Sequence, residues 1–394
     1  MKRWKLFLPL LTLMLALCAC APGGAQTTAP PSEEPSQGED PTIRSWNDVS
    51  WDEHMGLDYA QMFTVDYAGS FKRITIDGTV YLVVPEGVDG LPFLDMPEDV
   101  TVLYQPFENI YLQATAAMDC FRQLGAIDAI TLSGTQADGW YIPEAREAME
   151  DGRILYAGKY SAPDYELIQS ENCGLALEST MIYHNPEVKE QLERLGIPVL
   201  VERSSYESHP LGRMEWVKLY GVLLDQEEAA EAYFQEQLER LSPILEQENT
   251  GKTVAFFSIT SNGSVTVRKP GDYISKAIDL AGGVYALDSL SEEENALSTM
   301  NIQMETFYQE AKDADILIYN SAIEADLDTI GQLVEKSAPL ADFKAVQSGD
   351  VWCTGKSMFQ ESQSVGDMIL DIHTVLTEEA PQDSSLTYLH RLQS

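Results

Sequence analysis

Short apolar runs alternate with helix-length stretches closed by glycine, twice over, and this alternation restricts the fold more than any other feature of the chain. In the first half, Thr101-Val102-Leu103-Tyr104 ends at Gln105-Pro106, and a helical stretch from Ala114 to Leu124 stops at Gly125. Ile154-Leu155-Tyr156 reads as a short strand, Pro163 to Gln169 as a helix and Leu175-Ala176-Leu177 as a buried strand. Glu187 to Leu195 is a helix ended by Gly196, and Val199-Leu200-Val201 is the strand after it. The second half repeats the scheme: a strand from Val254 to Ile259, a helix from Asp272 to Leu280 before Gly282-Gly283, and a helix from Met304 to Ala311. Ile316 to Tyr319 and Val351-Trp352 supply further strands. Strands alternating with helices of this size imply parallel sheets covered on both faces.

Between the halves lies the most strongly helical part of the chain. Leu211 to Leu224 places Met214, Val217, Tyr220 and Leu224 on one stripe. Asp225 with Glu228 has the spacing of a capping box, so a second helix is expected from Gln226 to about Leu245, with Ala229, Ala230, Tyr233, Leu238 and Leu241 buried and Pro243 near its end. The predicted fold is therefore α/β: two lobes, each with a central, mostly parallel sheet, joined by a single long rigid helix. Phe71 to Val84, with a turn at Asp77-Gly78, reads as a hairpin leading into the first lobe.

The amino terminus carries an address. Lys2, Arg3 and Lys5 precede an apolar run from Leu6 to Leu17 that is too short to span a bilayer, as in a secretory signal. It closes with Leu17-Cys18-Ala19-Cys20, which resembles the bacterial lipobox and marks Cys20 as the lipidated residue. Residues Ala21 to Pro41 are rich in Pro, Gly, Ser, Thr and Glu, a composition that buries nothing and serves as a leash. The expected organisation is a signal peptide over 1–19, a lipid-anchored linker over 20–45, a first lobe over 46–224, a bridging helix over 225–248 and a second lobe over 249–394. An acylated cysteine ties a soluble body to a membrane through the lipid alone.

Charge removes whole classes of function. A formal net charge of −38 over 394 residues repels nucleic-acid phosphates and anionic lipid. Beyond the signal region only Cys120, Cys173 and Cys353 remain, too few and too scattered for a disulfide framework or a zinc spacing; Cys120 and Cys173 read as buried thiols. Nucleophile elbows, phosphate loops, His-Glu-Xaa-Xaa-His motifs and dinucleotide fingerprints are absent from the sequence, so no enzyme and no cofactor is indicated.

Three stretches carry a family resemblance. They are the helix end Gln123-Leu124-Gly125, the turn Leu195-Gly196-Ile197-Pro198-Val199, and Leu219-Tyr220-Gly221-Val222-Leu223-Leu224-Asp225 followed by Glu227, Glu228 and Ala229. In that order, over about Val102 to Leu376, the chain resembles the ABC-importer solute-binding proteins for iron-siderophores, haem and cobalamin. The resemblance implies a ligand in the cleft between lobes, a monomeric receptor and the importer's membrane subunits as partners. It also implies one exposed carboxylate per lobe that meets arginines of the permease. Glu166, in Tyr165-Glu166-Leu167-Ile168, matches the first, although Cys173-Gly174 stands where the family has Pro-Asp. Glu305, in Met304-Glu305-Thr306-Phe307, matches the second, with a slightly longer gap to its strand.

Ligand contacts are expected from loops at the carboxyl ends of strands, where clefts form in open α/β sheets. The candidates are Phe107, Tyr111, Trp140, Tyr160 and Ser179 in the first lobe, and Thr260, Asn262, Tyr319, Lys356 and Phe359 in the second. Arg203 and Arg268 are candidates for an anionic ligand group or plain surface charges. The aromatic character of these loops suits a bulky metal chelate as ligand. A receptor for bare zinc or manganese is the rival reading, yet only His184 and His209 fall near cleft loops, while His54, His373 and His390 lie near the termini. A surface hydrolase or adhesin is the alternative of a different class.

Overall fold

The computed structural model describes residues 44–88, 90, 93–290, 299–322, 326–379 and 381–394. The signal, Cys20 and the leash as far as residue 43 lie outside the described residues. Arg44–Ser394 forms one compact unit. Among the described residues no helix is long and apolar enough to cross a membrane.

The fold is α/β with two lobes. In the first, five parallel strands lie in the order Leu155–Tyr156, Ile130–Ser133, Ile110–Leu112, Leu175–Ser179, Val199–Glu202. The chain winds outward from Ile110–Leu112 in one direction and then restarts on its other side with Leu175–Ser179. That reversal leaves a crevice at the carboxyl ends of these two central strands. In the second lobe, Val284–Tyr285, Thr253–Ile259, Ile316–Tyr319 and Val351–Thr354 run parallel and reverse in the same way between Thr253–Ile259 and Ile316–Tyr319. This sheet is mixed, because Val265–Arg268 and Leu389–Arg391 pair antiparallel with it.

Thr101–Tyr104 does not open the first lobe's sheet. It is the edge of a separate five-stranded sheet that includes Phe63–Ala68, Phe71–Ile76 and Thr79–Val84. The hairpin itself forms as its turn predicts, with Asp77 at φ 48° and Gly78 at φ 80°, the backbone that a tight turn asks of Asp-Gly. Its register with two further neighbours makes it part of a small domain-like extension rather than a lead-in.

The helical segment between the lobes is divided. Pro210–Glu215 and Val217–Leu224 are separated at Trp216, and the long helix is Glu227–Leu245. Asp225 is not its N-cap. It ends the preceding helix in the left-handed region (φ 57°, ψ 41°), and its carboxylate receives Lys72 Nζ at 2.9 Å, so it is unavailable to cap. Pro243 lies inside the helix, close enough to its end that losing one N–H does not stop it. Ala230, Phe234, Gln237, Leu241 and Ile244 are buried, a four–three spacing that presents one stripe. Ala229 is exposed, and Tyr233 and Leu238 are half-buried, because the true stripe is turned by about one residue from the expected one. The helix packs against Val217–Leu224 on one side and against Val365–Thr377 of the second lobe on the other. Gly221 permits the first contact: a Cβ there would stand 2.6 Å from Ala230 Cβ.

Candidate ligand-binding cleft

A cavity of about 260 Å³ opens between the lobes, at the first lobe's crevice. The first lobe contributes Ala114, Thr115 and Ala116, just past the strand Ile110–Leu112, and Ser179, the last residue of its neighbour. Glu202, Ser204, Ser205 and Arg213 complete that wall. The second lobe contributes Tyr273 and Ile274 at a helix start, and Met358, Phe359, Glu361 and Ser362 beyond the strand Val351–Thr354.

Arg213 is the one cationic side chain among the described residues that line this space. Its guanidinium stacks on the Tyr273 ring, 3.5 Å from the centroid. It donates to the Glu207 carbonyl from Nε at 3.1 Å and to the Ser205 carbonyl. Among the described residues it forms no ion pair with a carboxylate. Burial pulls its pKa down, but a guanidinium stays cationic at neutral pH. Arg268 reaches the same ring from the second lobe: it lies 5.9 Å from the Tyr273 centroid and 5.3 Å from that of Phe359. Arg268 pairs with Asp272 at 3.4 Å, and Asp272 caps the helix Tyr273–Leu280 through the Ile274 N–H at 2.9 Å. Glu202 is buried and accepts the Ser204 N–H at 2.8 Å; burial pushes its carboxyl pKa up, which lowers the negative charge it sets against the arginines. The charged side chains lining the cavity are Arg213, Glu202 and Glu361, set beside the Tyr273 and Phe359 rings and several serine hydroxyls.

The lobes are held together at this cavity. Gln360 Nε2 donates to the Gly139 carbonyl at 2.7 Å, while the Tyr141 N–H donates to Gln360 Oε1 at 2.7 Å. Ser362 Oγ donates to the Ala116 carbonyl at 2.7 Å, and the Gln363 N–H to Asp119 Oδ2 at 2.7 Å. Arg122 joins Asp119 and Glu361, the latter at 3.1 Å.

Of the sequence-predicted contacts, Ser179 and Phe359 line the cavity. Four others are core residues and do not. Tyr111 lies inside the central strand Ile110–Leu112, fully buried, with its hydroxyl on the Gly158 carbonyl at 2.8 Å. Trp140 is fully buried with Nε1 on Ser133 Oγ at 3.2 Å. Phe107 and Tyr319 are buried in the main hydrophobic core, Tyr319 edge-on to Phe257. Thr260 and Asn262 bond each other at 2.5 Å in the tight connection to Val265–Arg268, away from the cavity lining. Tyr160 is half-buried in the turn of a two-stranded ribbon, and Lys356 half-buried before Phe359; neither lines the cavity. Arg203 is held by Asp77 and stacks over Tyr206. His209 accepts the Leu211 N–H at 3.2 Å and stacks on Tyr59, and His184 is exposed. Arg213, Tyr273 and Glu202 were hidden because each sits in a stretch legible as a helix or strand; a lone Arg in the apolar run Leu211–Leu224 was their one sequence signal.

Glu166 and Glu305 are both exposed and both occupy the first turn of a helix, Tyr165–Ser170 and Met304–Ala311. Each helix feeds the strand that restarts its sheet, Leu175–Ser179 or Ile316–Tyr319, so the two glutamates hold equivalent places in the two lobes.

Two α/β lobes with a long helix between them and a charged cavity at their junction can hold a small ligand. The profile described as periplasmic binding protein matches residues 115–357, and the chain belongs to that family, whose place is outside the cytoplasm. An uncharacterized lipoprotein of Methanocaldococcus jannaschii is 28% identical over 244 residues, 61% of this chain and 57% of that protein. A second uncharacterized lipoprotein of the same organism is 24% identical over 264 residues. This chain thus spans 57% and 65% of the length of those curated relatives. A periplasmic haem-binding protein of Vibrio cholerae has a similar fold, with TM-score 0.55 and 16% identity over 69% of this chain and 100% of that one. The petrobactin-binding protein of Bacillus subtilis superposes with TM-score 0.54 and 14% identity over 69% of this chain and 93% of that one.

Proposed function

We propose that this protein is the extracytoplasmic solute-binding component of an ABC importer, anchored through a lipid on Cys20, that captures a metal chelate between its lobes and delivers it to the permease. The observation that carries the ligand reading is Arg213, a half-buried residue whose guanidinium stacks on Tyr273 and faces the cavity with no carboxylate ion pair among the described residues. A positive charge held in place in this way selects ligands with anionic donor groups, and the Phe359 and Tyr273 rings offer flat apolar contact. The haem-binding and petrobactin-binding proteins of similar fold handle ligands of that general kind. The cavity of about 260 Å³ is open to solvent and lies just below the usual range of ligand sites. The chain acts as a monomer, and Glu166 and Glu305 meet the permease.

The test is intrinsic tryptophan fluorescence titrated with a panel of ferric siderophores, haem and corrinoids. Saturable quenching by an anionic ferric chelate is expected. Arg213→Gln should weaken it roughly 10- to 100-fold, the loss of a charged hydrogen bond in a desolvated site. A panel without any binder, or binding indifferent to both Arg213→Gln and Phe359→Ala, overturns the reading.

A further inference from the structure

Strand pairing brings together three side chains that are far apart in the sequence. Cys353 and His390 stand directly opposite each other in the antiparallel pair Val351–Thr354 and Leu389–Arg391. Opposed residues of such a pair project from the same face of the sheet, so thiol and imidazole are neighbours by register. Asp326 comes in beside them from the loop that precedes the helix Ile330–Lys336. The next residue of that loop, Leu327, holds His390 Nε2 on its carbonyl at 2.8 Å and so fixes the ring. One ligand atom of each of Asp326, Cys353 and His390 lies within 4.8 Å of the other two.

The spacing is that of a coordination site. Cys353 Sγ donates to Asp326 Oδ1 at 3.6 Å, which shows that the thiol and the carboxylate face each other. A tetrahedral zinc with Zn–S of about 2.3 Å and Zn–O of about 2.1 Å sets its sulfur and oxygen ligands about 3.6 Å apart. We propose that Cys353, His390 and Asp326 bind one zinc ion, with water completing the tetrahedron on the exposed Asp326 side. Thiolate, imidazole and carboxylate together suit zinc, whereas calcium and magnesium want oxygen ligands throughout. On binding, the Cys353 thiol gives its proton to solvent and its sulfur lone pair to the metal, one proton released per ion. The ion joins the last strand of the chain, an inner strand of the second lobe's sheet and the loop at Asp326, and so fastens the carboxyl terminus. None of the three residues lines the ligand cavity, so this is a resident ion and not cargo.

The experiment is a cobalt(II) titration of the metal-stripped full chain, followed by the near-ultraviolet thiolate-to-cobalt charge-transfer band. Saturation at one equivalent and displacement by zinc are expected. Cys353→Ser should abolish the band, and Asp326→Asn and His390→Gln should each weaken binding about tenfold or more. Arg213→Gln, which changes the cavity, should leave cobalt affinity unchanged. Asp326 is exposed, so its variant tests the site even where Cys353→Ser disturbs the core. A band that survives Cys353→Ser, and therefore arises at another cysteine, overturns the proposal. So does the absence of a band at stoichiometric cobalt, or full affinity in Asp326→Asn.

Discussion

Arg213 is positioned before any ligand arrives, held by two backbone carbonyls and an aromatic face, so little side-chain entropy is lost on binding. A second residue near the cleft is held in the opposite sense. Glu178, one position before the cavity-lining Ser179, is fully buried, and neither carboxyl oxygen has a hydrogen-bond partner among the described residues. Burial pushes its pKa up from 4.5 to about 8. Below about pH 4.5 the acid is protonated whether the chain is folded or not, and it costs nothing. Between there and pH 8 the unfolded chain ionises while the folded one keeps its proton, so native stability falls as pH rises. Glu178→Gln removes that dependence. Urea unfolding should show little difference from wild type at pH 4.5, and a gain at pH 8 that grows toward at most about 5 kcal/mol. An equal difference at both pH values would mean that Glu178 is ionised in the native state.

At the scale of elements, two buried glutamates decide how the amino-terminal sheet meets the first lobe. Glu215 Oε2 accepts the N–H groups of Tyr59 and Ala60, each at 2.8 Å, and Oε1 accepts that of Asp58 at 2.9 Å and Lys218 Nζ at 3.1 Å. Glu207 accepts the N–H groups of Gln61 and Met62, each at 2.9 Å, and Trp216 Nε1 at 3.0 Å. The loop Asp58–Met62 would otherwise bury a row of unsatisfied donors. Replacing Glu215 by Gln turns an amide NH₂ against backbone N–H groups and strips Lys218 of a charge partner. The expected cost is about 3 kcal/mol in urea unfolding, with proteolytic cleavage appearing first near Asp58. A loss below about 0.5 kcal/mol would show that water replaces the carboxylate without strain.

For the whole molecule, the proposed function requires two lobes that close on a ligand and present one face to a partner. The bridging helix packs on both lobes, and the Gln360–Gln363 segment bonds across the cavity, so closure is a small adjustment of packed surfaces. Glu166 and Glu305 lie outside the cavity lining. Replacing both by Ala should leave chelate affinity within about twofold, while uptake through the importer falls to background at equal surface abundance, because docking and not capture is lost. Undiminished uptake would reject the docking role. Cys20→Ala should release the processed protein from the membrane fraction; full retention would reject the anchor.

Local pattern was enough for the α/β alternation, the Asp77-Gly78 hairpin and the Met304–Ala311 helix. Period, glycine stops and the strand-end rule act over a few residues, and each is written in consecutive sequence. Pairing is different. Thr101–Tyr104 looks like any first strand, and only the neighbour it finds decides that it joins another sheet. Tyr111 and Trp140 have the composition of cleft residues, but the strand Ile110–Leu112 is covered on both faces and Trp140 is enclosed by its neighbours, so both rings lie in the core. Arg213 meets Tyr273, and Cys353 meets His390, across segments brought together by burial of apolar surface over the whole chain. Such contacts depend on which strands and helices lie side by side, a choice made by the summed packing of the molecule that no local stretch of sequence encodes.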